Sequence, residues 1–297
     1  MNRAPSLARR LFDRFEPVHA VVYFAPEVRR ALDDLGYRGF WMGYFAARSA
    51  PLGPVPPEVV TALFYNFSPT RVAKALPAAW DVAPPSQALA TRAAAAVSAL
   101  RRYGIDETSR HDVATAAGLL AKAARSAPLE GRPLFAANAA LPWPSDSLEL
   151  LWHATTLLRE QRGDGHIAAL VASGVTGRES NVLHSAAGGV PAEFIRRSRD
   201  YDDDEWQRCC ENLAQRGLLN HDMSLTAEGH DLKEHIENVT NNVALSALEG
   251  LDDNEIETLF ATLGPITRSV IAGGDLPSET PMGLLRDELH DDSAHLA

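Results

Sequence analysis

The sequence predicts a mainly α-helical fold of tandem winged-helix-like halves, each with a short β-hairpin wing. Three observations predict it. Apolar residues recur at three- and four-residue spacing through most of the 297 residues. Residues 201–229, "YDDDEWQRCCENLAQRGLLNHDMSLTAEG", read as a helix, a glycine break, two brief strands about an Asn-His-Asp turn, and the start of another helix. Phrases of the first half also return in the second. "GYRGFWMGYFAARSAPLGPVPPE" (36–58) and "GVTGRESNVLHSAAGGVPAE" (174–193) each open on G-x-x-G and close on a proline break before Glu. Upstream, "RFEPVHAVV" matches "RGDGHIAAL", which sets His19 and His166 in equivalent places, each at the opening of an apolar helix. An internal duplication explains the pattern.

The elements follow in order. "SLARRLFDRF", "APEVRRALDDLG" and "PPEVVTALFYNF" are amphipathic helices, and the alanine-rich "ALATRAAAAVSALRRYG" stops at Gly104, a helix C-terminal signal. "TSRHDVATAAGLLAKAARSA" completes a first half over residues 1–127. Residues 128–147 are proline-rich without a period and read as a linker. The second half, 148–274, opens on "SLELLWHATTLLREQRGDGHIAALVASG". Thr176 and Glu179 then stand at capping-box spacing. A helix over 202–216 sets Trp206, Cys209, Cys210 and Leu213 on one apolar face. Thr226 caps a long helix ending at Gly250, one more helix follows, and 275–297 reads as a flexible acidic tail.

Composition narrows the function classes. No apolar run approaches the roughly 18 residues of a membrane helix, and the N-terminus lacks a signal core. Adjacent Cys209 and Cys210 make neither a bridging nor a metal spacing, which fits a cytoplasmic protein. Residues 1–140 carry 17 Lys and Arg against 11 Asp and Glu, while the remainder carries 11 against 28. The acidic second half repels nucleic acid at long range. There is no Walker loop, G-x-G-x-x-G, G-x-S-x-G elbow or Cys/His cluster, and His230 and His235 are spaced wrongly for a zinc helix. The sequence therefore specifies no cofactor, no metal and no catalytic constellation.

Residues 201–229 resemble the winged helix of MarR-type bacterial regulators, including the Leu-Thr-x-x-Gly after the wing. "IENVTNNVALSALEGLDDNEIETLFATLGPI" resembles the long C-terminal helix and final helix of those proteins. Through "GYFAARSAPLG", "FYNFSPTRV" and "LLREQRGDGHIAALV", most of the chain is similar to a little-characterised actinobacterial helix-turn-helix family, termed SalK-like. The resemblance implies a helix-turn-helix scaffold and no particular activity. Its charges depart from DNA recognition: Asp202, Asp203, Asp204 and Glu205 open the reading helix, and the wing "NHDMS" has no arginine. Across 200–237, three basic residues face eleven acidic ones, so duplex binding through 201–229 is not expected. The first half carries Arg29, Arg30, Arg48, Arg71 and Lys74 without a dense basic stripe, and remains the other route to DNA.

The candidate site is aromatic. Residues 40–80 hold eight of the 21 Phe, Trp and Tyr; most of them read as core, yet the polar tips of Trp41, Tyr44 and Tyr65 require partners when buried. Arg48, one helical turn beyond Tyr44, is the expected charged anchor for a ligand, and an internal ion pair is the competing reading. His19 and His166 read either as capping or satisfied core histidines or, if the halves pack about a pseudo-twofold, as groups facing one cavity, with Tyr23 four residues beyond His19 on the same wall. The ligand-binding set is thus His19, Tyr23, Trp41, Tyr44, Arg48 and His166, for a small aromatic or anionic molecule. The alternatives are a ligand-responsive MarR-like transcription regulator and a biosynthetic enzyme of unassigned reaction. A homo-oligomer is compatible with either.

Overall fold

The computed structural model describes residues 3–106, 109–277, 283–286 and 289–296. The helices run α1 (Pro5–Phe24), α2 (Pro26–Asp34), α3 (Gly39–Ser49), α4 (Pro57–Leu63), α5 (Pro69–Ala75), α6 (Ala79–Val82), α7 (Pro85–Arg102) and α8 (Arg110–Ser126). They continue with α9 (Pro133–Ala139), α10 (Ser147–Ala172), α11 (Gly177–Ala186), α12 (Ala192–Arg199), α13 (Asp203–Gln215), α14 (Ala227–Ala244) and α15 (Asp253–Ala272). Proline at the first turn starts many of them, where its missing N–H costs nothing. Thr176 and Glu179 form the expected capping box on α11.

The mainly α expectation stands, but the β-hairpin wings do not. Among the described residues there is no strand, and the supposed wing is a single antiparallel bridge between Leu219 and Leu225. The reason is local. Asn220 Nδ2 donates to Ser224 Oγ and Leu225 O, and Met223 turns left-handed at φ 69°. These contacts close the turn within a few residues. Gly217 and Thr226 already belong to the ends of α13 and α14, so no residues remain to extend a ladder.

Two apolar cores organise the chain. The larger draws on residues 7–158 and 247–294, including α1, α3, α7, α8, α15 and the first part of α10. The smaller, over 169–239, holds the end of α10 with Leu183, Cys209, Cys210, Leu213 and Ile236. Helix α10 runs from one to the other, and the intervening residues 159–166 form a charged waist. The segment expected as a linker contains α9, whose Leu134 and Phe135 are buried in the larger core. From the expected acidic tail, Leu289 and Ala294 are buried and Arg268 pairs with Asp292 at 2.7 Å; residues 278–282, 287, 288 and 297 lie outside the described residues.

His19 and His166 do not open helices; each lies inside one. Helix α1 continues through Pro17, and α10 continues through Gly163 and Gly165. Gly165 serves packing: a Cβ there would stand 2.8 Å from Val243 Cγ2 of α14. The two G-x-x-G turns each deliver a helix, at Gly39 and Gly177, but α2 intervenes in the first half alone. Trp80 packs on the larger core and Trp206 on the smaller.

The loop between α4 and α5 joins the two cores. Tyr65 donates to Val175 O at 2.6 Å, and Asn181 Nδ2 donates to Asn66 O at 2.9 Å. Gly177 permits the contact, since a Cβ would fall 1.8 Å from Tyr65 O.

Candidate functional site

The waist of α10 assembles charge in a buried setting. Arg48 of α3 grips Glu160 with both Nε and Nη2, at 3.0 and 3.1 Å, and Arg159 Nη1 meets the same carboxylate at 2.9 Å. Burial alone would raise the Glu160 carboxyl, but Arg159 and Arg48 hold it well below the usual range. One turn further, Arg162 pairs with Glu237 of α14 at 2.9 Å and covers the Phe12 ring at 4.3 Å. Glu16 of α1 is treated differently. It is fully buried, neither carboxyl oxygen has a hydrogen-bond partner, and Arg159 Nε stays 3.6 Å away. Burial pushes its pKa up to about 7, against the pull of Arg159.

The two histidines are built alike. His19 Nδ1 lies 3.0 Å from Thr156 Oγ1, whose own hydrogen goes to Trp152 O at 3.0 Å. The hydroxyl therefore accepts, His19 carries its proton on Nδ1, and Nε2 accepts from the Tyr23 hydroxyl at 3.0 Å. His166 Nδ1 likewise donates to Thr240 Oγ1 at 3.0 Å, because Thr240 donates to Ile236 O. Its Nε2 is left as an acceptor. Burial keeps both rings neutral, His19 well below its ordinary pKa and His166 at about 4.

Beside this waist lies a cavity of about 610 Å³ between the two cores. One wall is aromatic: Tyr23, Phe40, Trp41, Tyr44 and Phe67, with Trp41 and Tyr44 each 5.5 Å from the Phe67 centroid. Phe45 and Phe64 are the buried backing of that wall. The floor is Glu16, Arg48, Arg159, Arg162 and His166. The opposite wall comes from α11, α12 and α14, through Asn181, His184, Phe194, Arg197, Arg199, Lys233 and Glu237. Phe40 and Phe194 are 42% and 40% exposed, so they stand where the cavity meets solvent.

Of the six residues proposed from sequence, Tyr23, Trp41, Tyr44, Arg48 and His166 line this cavity. His19 stands behind Tyr23, on a small adjoining pocket of about 30 Å³ shared with Tyr23, Tyr44, Arg48 and Glu160. Arg48 also donates to Tyr44 at 3.2 Å. Sequence reasoning missed Glu16, Arg159 and the whole α12 wall. The signal for the first two was "REQR" (159–162) within an otherwise apolar helix and Glu16 within an apolar run, each too charged for its surroundings.

Helices α12 and α13, joined by residues 200–202, have the short connection of about three or four residues usual in a helix-turn-helix motif, and α11 packs against both. Arg178 of α11 fixes the start of α13 through Glu205 at 2.7 and 2.8 Å, and lies 3.5 Å over the Tyr201 ring. These features define the class: an all-helical protein with a helix-turn-helix head set on a larger helical core. The chain belongs to a helix-turn-helix family, whose model matches residues 8–277. Neither a curated protein nor a solved structure matches it. Among the described residues no helix is long and apolar enough to cross a membrane, and no group of His, Cys, Asp or Glu could hold a metal.

Proposed function

We propose that this protein binds a small organic molecule in the cavity between its two cores, on a helix-turn-helix scaffold whose head no longer carries DNA-binding charge. The cavity carries the reading. Its volume of about 610 Å³ falls within the roughly 300–1,000 Å³ of small-molecule sites, and it joins an apolar aromatic wall to a few fixed polar groups. The head supports the second clause. The outward face of α13 presents Asp203, Asp204, Gln207, Arg208, Glu211 and Gln215 to solvent, three acids against one arginine.

A ligand-responsive regulator is the second reading. It is favoured by the family and by α12, which lines the cavity and leads directly into α13.

The cavity is testable with the uncharged fluorophore N-phenyl-1-naphthylamine. We expect saturable one-to-one binding to the full chain, and its loss in Ser180→Trp, which fills the cavity from α11, at an unchanged melting temperature. Equal binding by the two proteins sinks the assignment.

A further inference from the structure

The charges on the two sides of the cavity do not balance. On the α10 side every cation has a carboxylate: Arg48 and Arg159 share Glu160, and Arg162 has Glu237. Across the cavity, Arg197, Arg199 and Lys233 make no close ion pair among the described residues, Lys233 having only the longer-range field of Glu237 one turn along α14, although acidic residues outnumber basic ones in this half of the chain. Other arginines of α11 and α12 are neutralised, Arg178 by Glu205 and Arg196 by Asp203. Within α11 and α12 the unbalanced charge is therefore confined to the wall that faces the cavity.

Arg199 is the best placed of the three. It ends α12, with its guanidinium carbon over the Phe67 ring at 4.4 Å. Arg48 and Arg71 also stack on rings of this cluster, Phe64 and Trp41, but each has an acid, Glu160 or Asp200. Arg199 has only a long contact to the Ser198 hydroxyl, at 3.4 Å. A guanidinium held against a ring keeps its edge free, and that edge offers paired N–H donors matched to a planar or tetrahedral oxyanion. Burial disfavours its charge, and the neighbouring Arg48 and Arg71 disfavour it further. An incoming anion relieves both penalties.

We propose that the ligand is an aromatic organic anion, a carboxylate or sulfonate, whose charged group is seated by Arg199 with Lys233 while its ring lies along Trp41, Tyr44 and Phe67. The proposal rests on the cavity reading above and specifies the ligand that the cavity selects. It assigns the anion seat to helix α12, whereas the arginine that sequence spacing singles out, Arg48, is consumed by Glu160.

The test compares two probes of one shape: N-phenyl-1-naphthylamine, which is neutral, and 1-anilinonaphthalene-8-sulfonate, which adds a sulfonate. We expect the native chain to prefer the sulfonate at least tenfold. Arg199→Gln should weaken the sulfonate by roughly ten- to hundredfold and leave the neutral probe unchanged. Lys233→Gln should have a smaller effect in the same direction. Arg199→Lys should retain most of the preference and guards against misfolding of the glutamine variant; Arg208→Gln, on the exposed face of α13, should change neither probe. If both probes bind alike, or if the sulfonate is indifferent to Arg199 and Lys233, the anion seat is wrong and the cavity stands. If neither probe enters the native chain, the cavity reading itself fails, and the anion seat with it.

Discussion

Glu16 is the residue whose environment most departs from what its type prefers. Its carboxyl is fully buried without a hydrogen bond, and its pKa stands at about 7 against an ordinary 4.5. Below pH 4.5 it is protonated in both folded and unfolded chains and contributes no pH-dependent penalty. Between 4.5 and 7 the unfolded chain ionises while the folded one keeps its proton, so stability falls as pH rises. Above 7 the loss is complete, at about 3 kcal/mol from 1.36 kcal/mol per unit. Glu16→Gln should therefore gain stability over the native chain by about that amount between pH 4.5 and 8, in urea titrations at the two pH values. A difference that stays flat across the range contradicts the assignment. Some of this scale was legible in the sequence. Helical spacing put Tyr23 beside His19 and Tyr44 beside Arg48, and both pairs are hydrogen-bonded. The acid that occupies Arg48 was not legible, because Glu160 lies 112 residues away and only the crossing of α3 and α10 brings them together.

Helices were read well where a local signal determined them. The box of Thr176 and Glu179, the stop at Gly104 and the apolar face of Cys209, Cys210 and Leu213 are all local. The reading failed where tertiary contact overrides a local signal. "GDGH" looks like a break, yet α10 passes through it because Gly165 gives Val243 room. Alanine at 165 would gain up to about 1 kcal/mol of helix propensity, but its Cβ would sit 2.8 Å from Val243 Cγ2. Overpacking of this kind costs about 1–3 kcal/mol, so Gly165→Ala should be net destabilising. Adding Val243→Ala should recover the loss, as read from denaturation midpoints. A stabilised single variant would mean that α14 yields easily. The short α12 was legible only as "GGVPAEFIRRSRD", a break and restart. Its cavity-facing role follows from its packing opposite α3, which no periodicity encodes.

At the scale of the whole molecule, family and charge must be reconciled. The helix-turn-helix scaffold is shown by the family match, while the head's outward face is acidic. Counterion release requires several cations at the phosphates, and only Arg208 projects from that face. We expect no duplex binding through α13 in fluorescence anisotropy at physiological salt. Submicromolar binding that weakens steeply with salt, and that disappears in Arg208→Gln with Arg216→Gln, would reverse this. The sequence conveyed the presence of the head and its charge. It did not convey that the larger core gathers residues from both ends of the chain around the smaller one. That arrangement has a mechanical consequence. The head enters through α10 and leaves through α14, two helices instead of flexible coils. A coil absorbs displacement, whereas a helix passes bending and twist along its axis. With 26 residues at about 1.5 Å each, α10 is a strut of roughly 39 Å, and Arg159, Glu160 and Arg162 lie along its middle. The head is thus spliced between two stiff members, and any tilt it undergoes bears on the ion pairs at that midpoint as well as on the Tyr65–Val175 and Asn66–Asn181 hydrogen bonds.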